Sequence, residues 1–234
     1  MCHVHGHNAD MKNLLLAWSG GKDAAWTLHT LRQRDDVRVL GLLTTVTAGY
    51  ERIAMHGIRR DVLHAQARAA GLPLIESPIR TGCDNAAYED AFSDALQRAR
   101  ARWPGLDTVA FGDLQLADVR AWREALCDRH GWSIETPLFG RDTAALARGM
   151  IAGGLQTRLC CVDTTQLDAR FAGQAFDHEL LDALPAACDP CGENGEFHTL
   201  VHAGPMFEQP VNVVPGETVL RDGRFAFTDF KLAG

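Results

Sequence analysis

A glycine-rich turn near the start of the sequence has the residue types that hold a phosphate group. It consists of Ser19, Gly20, Gly21, Lys22 and Asp23, between an apolar run and a stretch with apolar residues at helical spacing. Backbone N–H groups in such a turn can bind an anion together with the positive end of the following helix, and the lysine adds a charge. The pattern is neither a Walker A loop nor the dinucleotide-binding glycine motif. A strand-to-helix turn that binds nothing is the alternative interpretation.

A second glycine-rich segment, toward the other end of the sequence, carries acidic and basic side chains. Glu193, Glu196 and His198 fall within six residues, and Gly192 and Gly195 allow the backbone to bend around them. An acidic pair beside a histidine can bind a metal, hold an ammonium ion, or take a proton so that ammonia becomes nucleophilic. A turn with solvated carboxylates is the alternative.

Alternating strands and helices must position these two segments. Up to residue 135, apolar runs and helical periodicity predict strands at 14–18, 37–45, 74–77, 108–111 and 132–135, and helices at 23–34, 59–70, 85–103 and 115–130. This alternation is typical of an α/β fold with a parallel, Rossmann-like sheet and helices on both faces. Ligands of such sheets bind at the carboxyl ends of the strands, which is where the first glycine turn lies.

The pattern changes after residue 136. Helices are predicted at 143–151 and 178–184, and strands at 156–163, 211–215, 218–221 and 224–229. We therefore expect a disordered leader over residues 1–12, an α/β domain over 13–136 and a smaller α+β domain over 137–234.

The composition excludes several classes of protein. The 234 residues are 46% hydrophobic with a net charge of −7, and no apolar run approaches the ~18 to 20 residues of a membrane helix. With no signal peptide in the sequence, we expect a cytoplasmic protein. The acidic balance disfavours nucleic acid as a partner, because non-specific binding to it needs many Lys and Arg contacts. Seven cysteines, an odd number at irregular spacing, indicate reduced thiols.

Further motifs resemble a known family. GDL at residues 112–114, PLF at 137–139 and CGENGEFHTLV at 191–201 join the SGGKD turn. Together they resemble the diphthine ammonia ligase family of the ATP-pyrophosphatase (PP-loop) superfamily, over residues 13–207. His198 stands where the diphthamide-making relatives usually have Glu, which favours the bacterial branch, one that has been linked with corrinoid salvage. The superfamily turn usually closes with Ser or Thr, whereas this chain has Ala24.

The resemblance implies a HUP-type sheet and an ATP-dependent amidation. In that reaction a carboxylate is adenylated, pyrophosphate leaves and ammonia displaces AMP. ATP and Mg²⁺ are the implied cofactors, with Asp23 as the residue that would hold the metal. The implied nucleotide-binding residues are Ser19, Gly20, Gly21, Lys22, Asp23, Thr44, Thr45, Gly112 and Asp113, and the implied catalytic residues are Glu193, Asn194, Glu196 and His198.

Several of these assignments have structural alternatives. Thr44 and Thr45 end the second predicted strand, and they are either contacts of the adenosine or simple strand-end hydroxyls. Asp113 either binds the nucleotide or caps the next helix. His56 and Arg59 follow the same strand, and we expect them to contact substrate or phosphate, unless Arg59 belongs to a solvated first turn.

The cysteines suggest a different function. Cys188 and Cys191 form a CxxC, and Cys160 and Cys161 are adjacent in a predicted strand, a set that a zinc site or a sulfur transferase acting on tRNA or a small molecule would use. Structural thiols are favoured, because adjacent strand residues point to opposite faces. A non-catalytic adenine nucleotide sensor is a further alternative. The sequence leaves open the carboxylate acceptor, whether a small molecule or a protein, the source of ammonia, and the oligomeric state, a homodimer included.

Overall fold

A parallel sheet forms the first half of the protein. The computed structural model describes residues 11–49, 52–53 and 57–234. The first sheet has the order β4-β2-β1-β5-β6 with all neighbours parallel, and β3 pairs antiparallel with the end of β2. Its strands are β1 (Lys12–Ala17), β2 (Val37–Thr47), β3 (Arg52–Ile53), β4 (Leu74–Ile79), β5 (Thr108–Ala110) and β6 (Ser133–Glu135). The predicted α/β fold class is confirmed.

Helices cover both faces of this sheet because its strands are apolar on both sides. Leu14 and Leu16 of β1 enter one core and Leu15 enters the other, as the alternation of side chains along a strand requires. The first core contains buried apolar residues of α1 and α2, and the second contains those of α3 and α4. These helices are α1 (Lys22–Arg32), α2 (Arg60–Ala69), α3 (Asn85–Arg102) and α4 (Ala117–Arg129).

The second half contains a four-stranded antiparallel sheet with the order β8-β7-β10-β9. Its elements are α5 (Thr143–Ala152), β7 (Gln156–Asp163), a 3₁₀ turn (Ala169–Phe171), α6 (His178–Ala183), β8 (Phe197–Ala203), β9 (Val213–Arg221) and β10 (Phe225–Leu232). Phe197 and Leu200 of β8 belong to the same core as Leu28 of α1. The two sheets therefore share a hydrophobic core, and the division near residue 136 stays a prediction.

The structure departs from the predicted elements in two places that matter. β8 was not predicted, although its first residues belong to the CGENGEFHTLV segment. The predicted strands at 211–215 and 218–221 form one strand, β9, which runs through Pro215. Proline cannot donate a backbone hydrogen bond, but β9 is the outermost strand, where that donor is not needed. None of the described helices is long and apolar enough to span a bilayer.

Candidate active site

The glycine turn after β1 is closely packed and requires glycine. Gly20 has φ +78°, and a Cβ there would lie 2.8 Å from Gln66 Oε1. Gly21 is the N-cap of α1 in extended conformation and provides no side-chain cap. Its N–H donates to Ser19 Oγ at 3.3 Å. The predicted strand, turn and helix are therefore all present.

The loop after β5 touches the start of α1. A Cβ on Gly112 would lie 2.9 Å from the carbonyl carbon of Asp23 and 3.0 Å from the amide nitrogen of Ala24. The Ala24 N–H donates no hydrogen bond within the described residues, as expected of the first turn of a helix. Gly112 thus lets the loop after β5 pack directly against this end of the helix, at the crevice between β1 and β5 where parallel sheets bind ligands.

Lys22 is a buried cation at the first position of α1. The residue is 2% exposed, and its Nζ donates to both carboxylate oxygens of Asp23 at 2.9 and 2.8 Å. The ammonium group also lies 5.7 Å from the centre of the Phe197 ring of β8. Burial alone would lower the pKa of Lys22, but the charge of Asp23 and its hydrogen bonds raise it above the usual value. The lysine therefore carries its charge at the helix end.

Buried polar contacts fasten the turn to α2 and to β8. Gln66 is fully buried, accepts from Trp18 Nε1 at 3.1 Å, and donates to the carbonyl oxygens of Gly20 and Val201 at 3.0 and 2.7 Å. The Val201 N–H also donates to Gly20 O at 2.9 Å. In addition, the Lys22 N–H donates to Thr199 Oγ1 at 3.0 Å. The second half of the chain thus meets the glycine turn directly.

Glu196 holds the second glycine-rich segment in shape. Its side chain is buried, and Oε1 accepts from the Asp189 N–H at 2.8 Å and from Asn194 Nδ2 at 3.0 Å, while Oε2 accepts from the Asn194 N–H at 2.9 Å. Asn194 itself is exposed. Both residues therefore make contacts within their own loop, which is what a structural carboxylate does.

Glu193 is the carboxylate of this segment that interacts electrostatically with the charged residues of the glycine turn. Its Oε2 accepts from the Gln115 N–H at 3.2 Å, in the loop after β5. Burial raises the pKa of Glu193 to about 7, and the negative charge of Asp23 adds to the effect, whereas Lys22 opposes it. The structure therefore brings Glu193 together with Lys22 and Asp23.

His198 lies at the start of β8 and is mostly buried. Burial lowers its pKa to about 4, and the nearby charge of Lys22 contributes. The imidazole is therefore neutral at pH 7. Its backbone carbonyl accepts from Cys160 Sγ at 3.4 Å.

Thr44 and Asp113 have buried oxygens without a partner among the described residues, Thr44 Oγ1 and Asp113 Oδ2. Thr45, the next residue of β2, is half-buried. Asp113 also forms an ion pair with Arg123 of α4, and burial raises its pKa although that arginine opposes the change. It does not cap α4, whose N-cap is Leu116. β2 continues to Thr47, so Thr44 and Thr45 lie inside the strand and not at its end as predicted. Unsatisfied buried oxygens are what a polar ligand would pair with.

Arg59 makes a contact that the sequence did not indicate. It is the N-cap residue of α2, and its guanidinium donates to Asp229 Oδ1 at 2.9 Å and Oδ2 at 2.7 Å. Arg52 pairs with the same carboxylate at 2.9 Å. Arg59 therefore joins the start of α2 to β10 instead of lying in a solvated turn, and a substrate contact for it stays a prediction. His56 lies outside the described residues.

The thiols of the CxxC and of the adjacent pair Cys160 and Cys161 are buried. Burial raises the pKa of Cys161, Cys188 and Cys191 to about 12, and Cys191 Sγ donates to the Thr143 carbonyl at 3.3 Å. The thiolate is the nucleophile and the metal ligand, so these residues are poorly suited to either role. Among the described residues, no group of three or more His, Cys, Asp or Glu side chains is arranged to hold a metal.

Sequence reasoning missed Gln66 and Thr199, which join the two halves at the site. Gln66 had a usable signal, because it lies among the buried residues of α2 and a polar residue on an apolar face needs a partner. Thr199 had none beyond its place in the CGENGEFHTLV segment.

Comparison with known proteins gives the family. Models of the diphthamide synthase N-terminal and C-terminal domains match residues 11–134 and 142–229 in succession. A diphthine–ammonia ligase of Schizosaccharomyces pombe (strain 972 / ATCC 24843) is 26% identical over 218 residues, which cover 86% of this chain and 36% of that protein. The chain thus spans about a third of the length of this curated relative. The first family model alone matches more than half of the chain, and the chain belongs to the diphthamide synthase family.

Proposed function

We propose that this protein is an ATP-dependent ligase that amidates a carboxylate with ammonia. The observation that carries the proposal is the meeting of the two glycine-rich segments, in which the charge of Asp23 helps to raise the pKa of Glu193. A turn suited to binding phosphate then lies near a carboxylate that can accept a proton near neutral pH. The name of the 26% identical relative, a diphthine–ammonia ligase, supports the same reaction class.

The first step forms an acyl-adenylate. A substrate carboxylate oxygen attacks the α-phosphorus of ATP, and the bond to the β-phosphate oxygen breaks to release pyrophosphate. Ser19, Gly20, Gly21 and Lys22 surround the phosphates in this proposal, and Lys22 stabilises the charge on the leaving group. Thr44, Thr45, Gly112 and Asp113 line the rest of the nucleotide site, where Thr44 Oγ1 and Asp113 Oδ2 lack partners among the described residues.

Mg²⁺ would be held by Asp23 together with phosphate oxygens and water. Mg²⁺ sites at nucleotides typically use one or two carboxylates plus substrate phosphates. The Asp23 side chain is 28% exposed, and each of its oxygens, which accepts from Lys22, has a second lone pair for a metal ion. When bound, the ion would neutralise negative charge on the phosphates.

The second step transfers the acyl group to ammonia. Ammonia nitrogen attacks the acyl carbon, AMP leaves with the bonding electrons, and the nitrogen loses one proton. We assign that proton to Glu193, because a general base works best with a pKa near the working pH and the pKa of Glu193 is about 7. His198, whose pKa is about 4, is a weaker base and is proposed to orient the substrate. Glu196 and Asn194 keep the loop in place.

The acceptor is a carboxylate on a small molecule, a corrinoid acid included, or on a protein. The C-terminal residues 137–234 are proposed to bind it, with Arg59 and His56 as further contacts, and free ammonia or a separate protein supplies the nitrogen. A sulfur transferase is not favoured, because the Cys188 and Cys191 thiols are buried with pKa values of about 12.

The products of ATP turnover test the proposal. The protein is incubated with Mg²⁺, ammonium and a panel of carboxylates that includes corrinoid acids and diphthine-bearing protein. We expect AMP and pyrophosphate, with ammonium-dependent formation of an amide. ADP and phosphate would exclude adenylation, AMP formation that depends on a sulfur donor would favour the sulfur transferase, and ATP binding without turnover would favour a nucleotide sensor.

A further inference from the structure

Thr199 places a hydroxyl at the start of α1 from a distant strand. Its Oγ1 accepts from the Lys22 N–H at 3.0 Å, although the two residues are 177 positions apart in sequence. The side chain is 2% exposed. Along β8, Phe197 and Thr199 share a face, and their side chains contact Nζ and the backbone nitrogen of the same lysine.

The hydroxyl group of Thr199 accepts a hydrogen bond but donates none to any described residue. A threonine hydroxyl can accept and donate at the same time, and Thr199 Oγ1 has no acceptor for its proton within the described part of the chain. Its oxygen is held by the Lys22 amide, so the proton is directed away from that amide. A buried donor without a partner normally costs stability, which makes a ligand acceptor the simplest use for it.

The surroundings specify what such a ligand would be. The Lys22 ammonium is buried at the same helix start and donates to both carboxylate oxygens of Asp23, and the Ala24 amide is unpaired within the described residues. Three kinds of donor then converge at one helix end: an ammonium group, a backbone amide and a hydroxyl. Asp23, which accepts from the ammonium group, is the residue proposed to hold Mg²⁺, and the three donors beside it fit an anion with several oxygens.

We propose that Thr199 is a nucleotide-contacting residue whose hydroxyl donates a hydrogen bond to a phosphate oxygen of ATP. Strand β8, which follows the Glu193–Glu196 loop, would then contact the nucleotide itself. This contact would fix the position of the loop relative to the phosphates. The identity of the anion rests on the proposed function, while the contact itself can be tested by binding alone. A purely structural cap of α1 is the competing explanation.

Binding of three probes separates these explanations. Dissociation constants for ATP with Mg²⁺, for inorganic pyrophosphate and for adenosine are measured by calorimetry on the wild-type chain, Thr199→Val, Thr199→Ser and Thr157→Val. Thr157 is the matched control, since it is 2% exposed in the neighbouring strand and its hydroxyl donates to Leu200 O at 2.7 Å. Thermal unfolding without ligand reports the structural effect of each substitution.

We expect Thr199→Val to weaken ATP and pyrophosphate binding by about 10- to 100-fold, the loss typical of one hydrogen bond to a charged group. Adenosine binding should be unchanged, Thr199→Ser should bind all three probes like the wild type, and Thr157→Val should lose thermal stability but no affinity. Equal ATP affinity in Thr199→Val and the wild type overturns the proposal, as does an equal loss in Thr157→Val. If Thr199→Val does not fold, a Thr199→Ser variant that binds pyrophosphate at least tenfold more weakly also overturns it.

These outcomes are distinct from those of the turnover assay. A wild-type chain that binds ATP but forms no AMP removes the proposed ligase activity, and the Thr199 comparison still decides the contact. A wild-type chain that binds neither ATP nor pyrophosphate overturns both.

Discussion

Replacing Glu193 by glutamine should stabilise the protein at alkaline pH. The pKa of Glu193 is about 7 in the folded protein against a usual value of 4.5. Between these two pH values the folded protein therefore holds a proton that the unfolded chain has lost. Stability linked to this group is therefore fully present below pH 4.5 and falls as the pH rises to about 7. Glutamine has no proton to lose and removes this dependence.

The size of the effect follows from the difference between the two pKa values. Each pKa unit corresponds to about 1.4 kcal/mol, which gives an upper limit of about 3 kcal/mol above pH 7. Because Glu193 is partly exposed, solvent screening reduces this, and we expect Glu193→Gln to gain about 1–2 kcal/mol at pH 8. The glutamine oxygen can still accept from the Gln115 N–H, so the loop keeps its anchor.

Urea unfolding of the wild type and of Glu193→Gln at pH 5, 6, 7 and 8 measures the difference in their free energies of unfolding. Glu217→Gln, on the exposed strand β9, controls for the loss of one acidic side chain. We expect the gain of Glu193→Gln over the wild type to grow from pH 5 to pH 7 and then to level off. A gain that is equal at all four pH values, or a loss that grows with pH, would refute the argument that burial and Asp23 raise this pKa.

Three further substitutions test the packing around the site. Gly112→Ala puts a Cβ about 3 Å from the Ala24 amide and should cost about 1–3 kcal/mol in unfolding and weaken ATP binding, whereas Gly149→Ala, with open space around it, should do neither. Gln66→Leu leaves buried polar groups unpaired and should lower the free energy of unfolding by about 2 kcal/mol or more, measured in urea. Asp229→Asn should cost about 1–2 kcal/mol at pH 7. The Arg59 guanidinium holds the pKa of Asp229 at about 2 against 3.8, so that difference should shrink as the pH falls through this range, and a constant difference would contradict the ion pair.

The local sequence pattern was sufficient to predict most of the strands and helices. The apolar run and helical spacing around the SGGKD turn predicted β1 and α1 because both elements depend on residues close in sequence. β8 was missed for a physical reason. Its residues are buried on both faces, with Phe197, Thr199 and Leu200 all nearly inaccessible, so the strand lacks the alternation of apolar and polar residues that identifies a half-exposed strand.

The sequence indicated which charged residues belong to the candidate site, but it did not indicate the different environment of each one. Glu193 and Glu196 looked equivalent in sequence, but Glu196 accepts three hydrogen bonds from its own loop. Glu193 accepts from the loop after β5 and interacts electrostatically with Lys22 and Asp23. Burial and neighbours decide between these roles, and they depend on how the loop meets residues far away in sequence. Arg59 shows the same limit, because its partner Asp229 lies 170 positions away.

The need for a residue such as Thr199 could nevertheless have been argued from the turn alone. A helix that starts at a glycine N-cap leaves its first amides without a side-chain acceptor, and a buried amide must find a partner elsewhere. In a buried first turn that partner must come from a distant element or from a ligand. Under our proposals the turn has both kinds of partner: Thr199 accepts from the Lys22 amide, and the phosphates lie beside the Ala24 amide. In the proposed nucleotide site, the glycines that would make room for the phosphates also make the turn dependent on β8, because removal of the second half of the chain would expose the Lys22 amide.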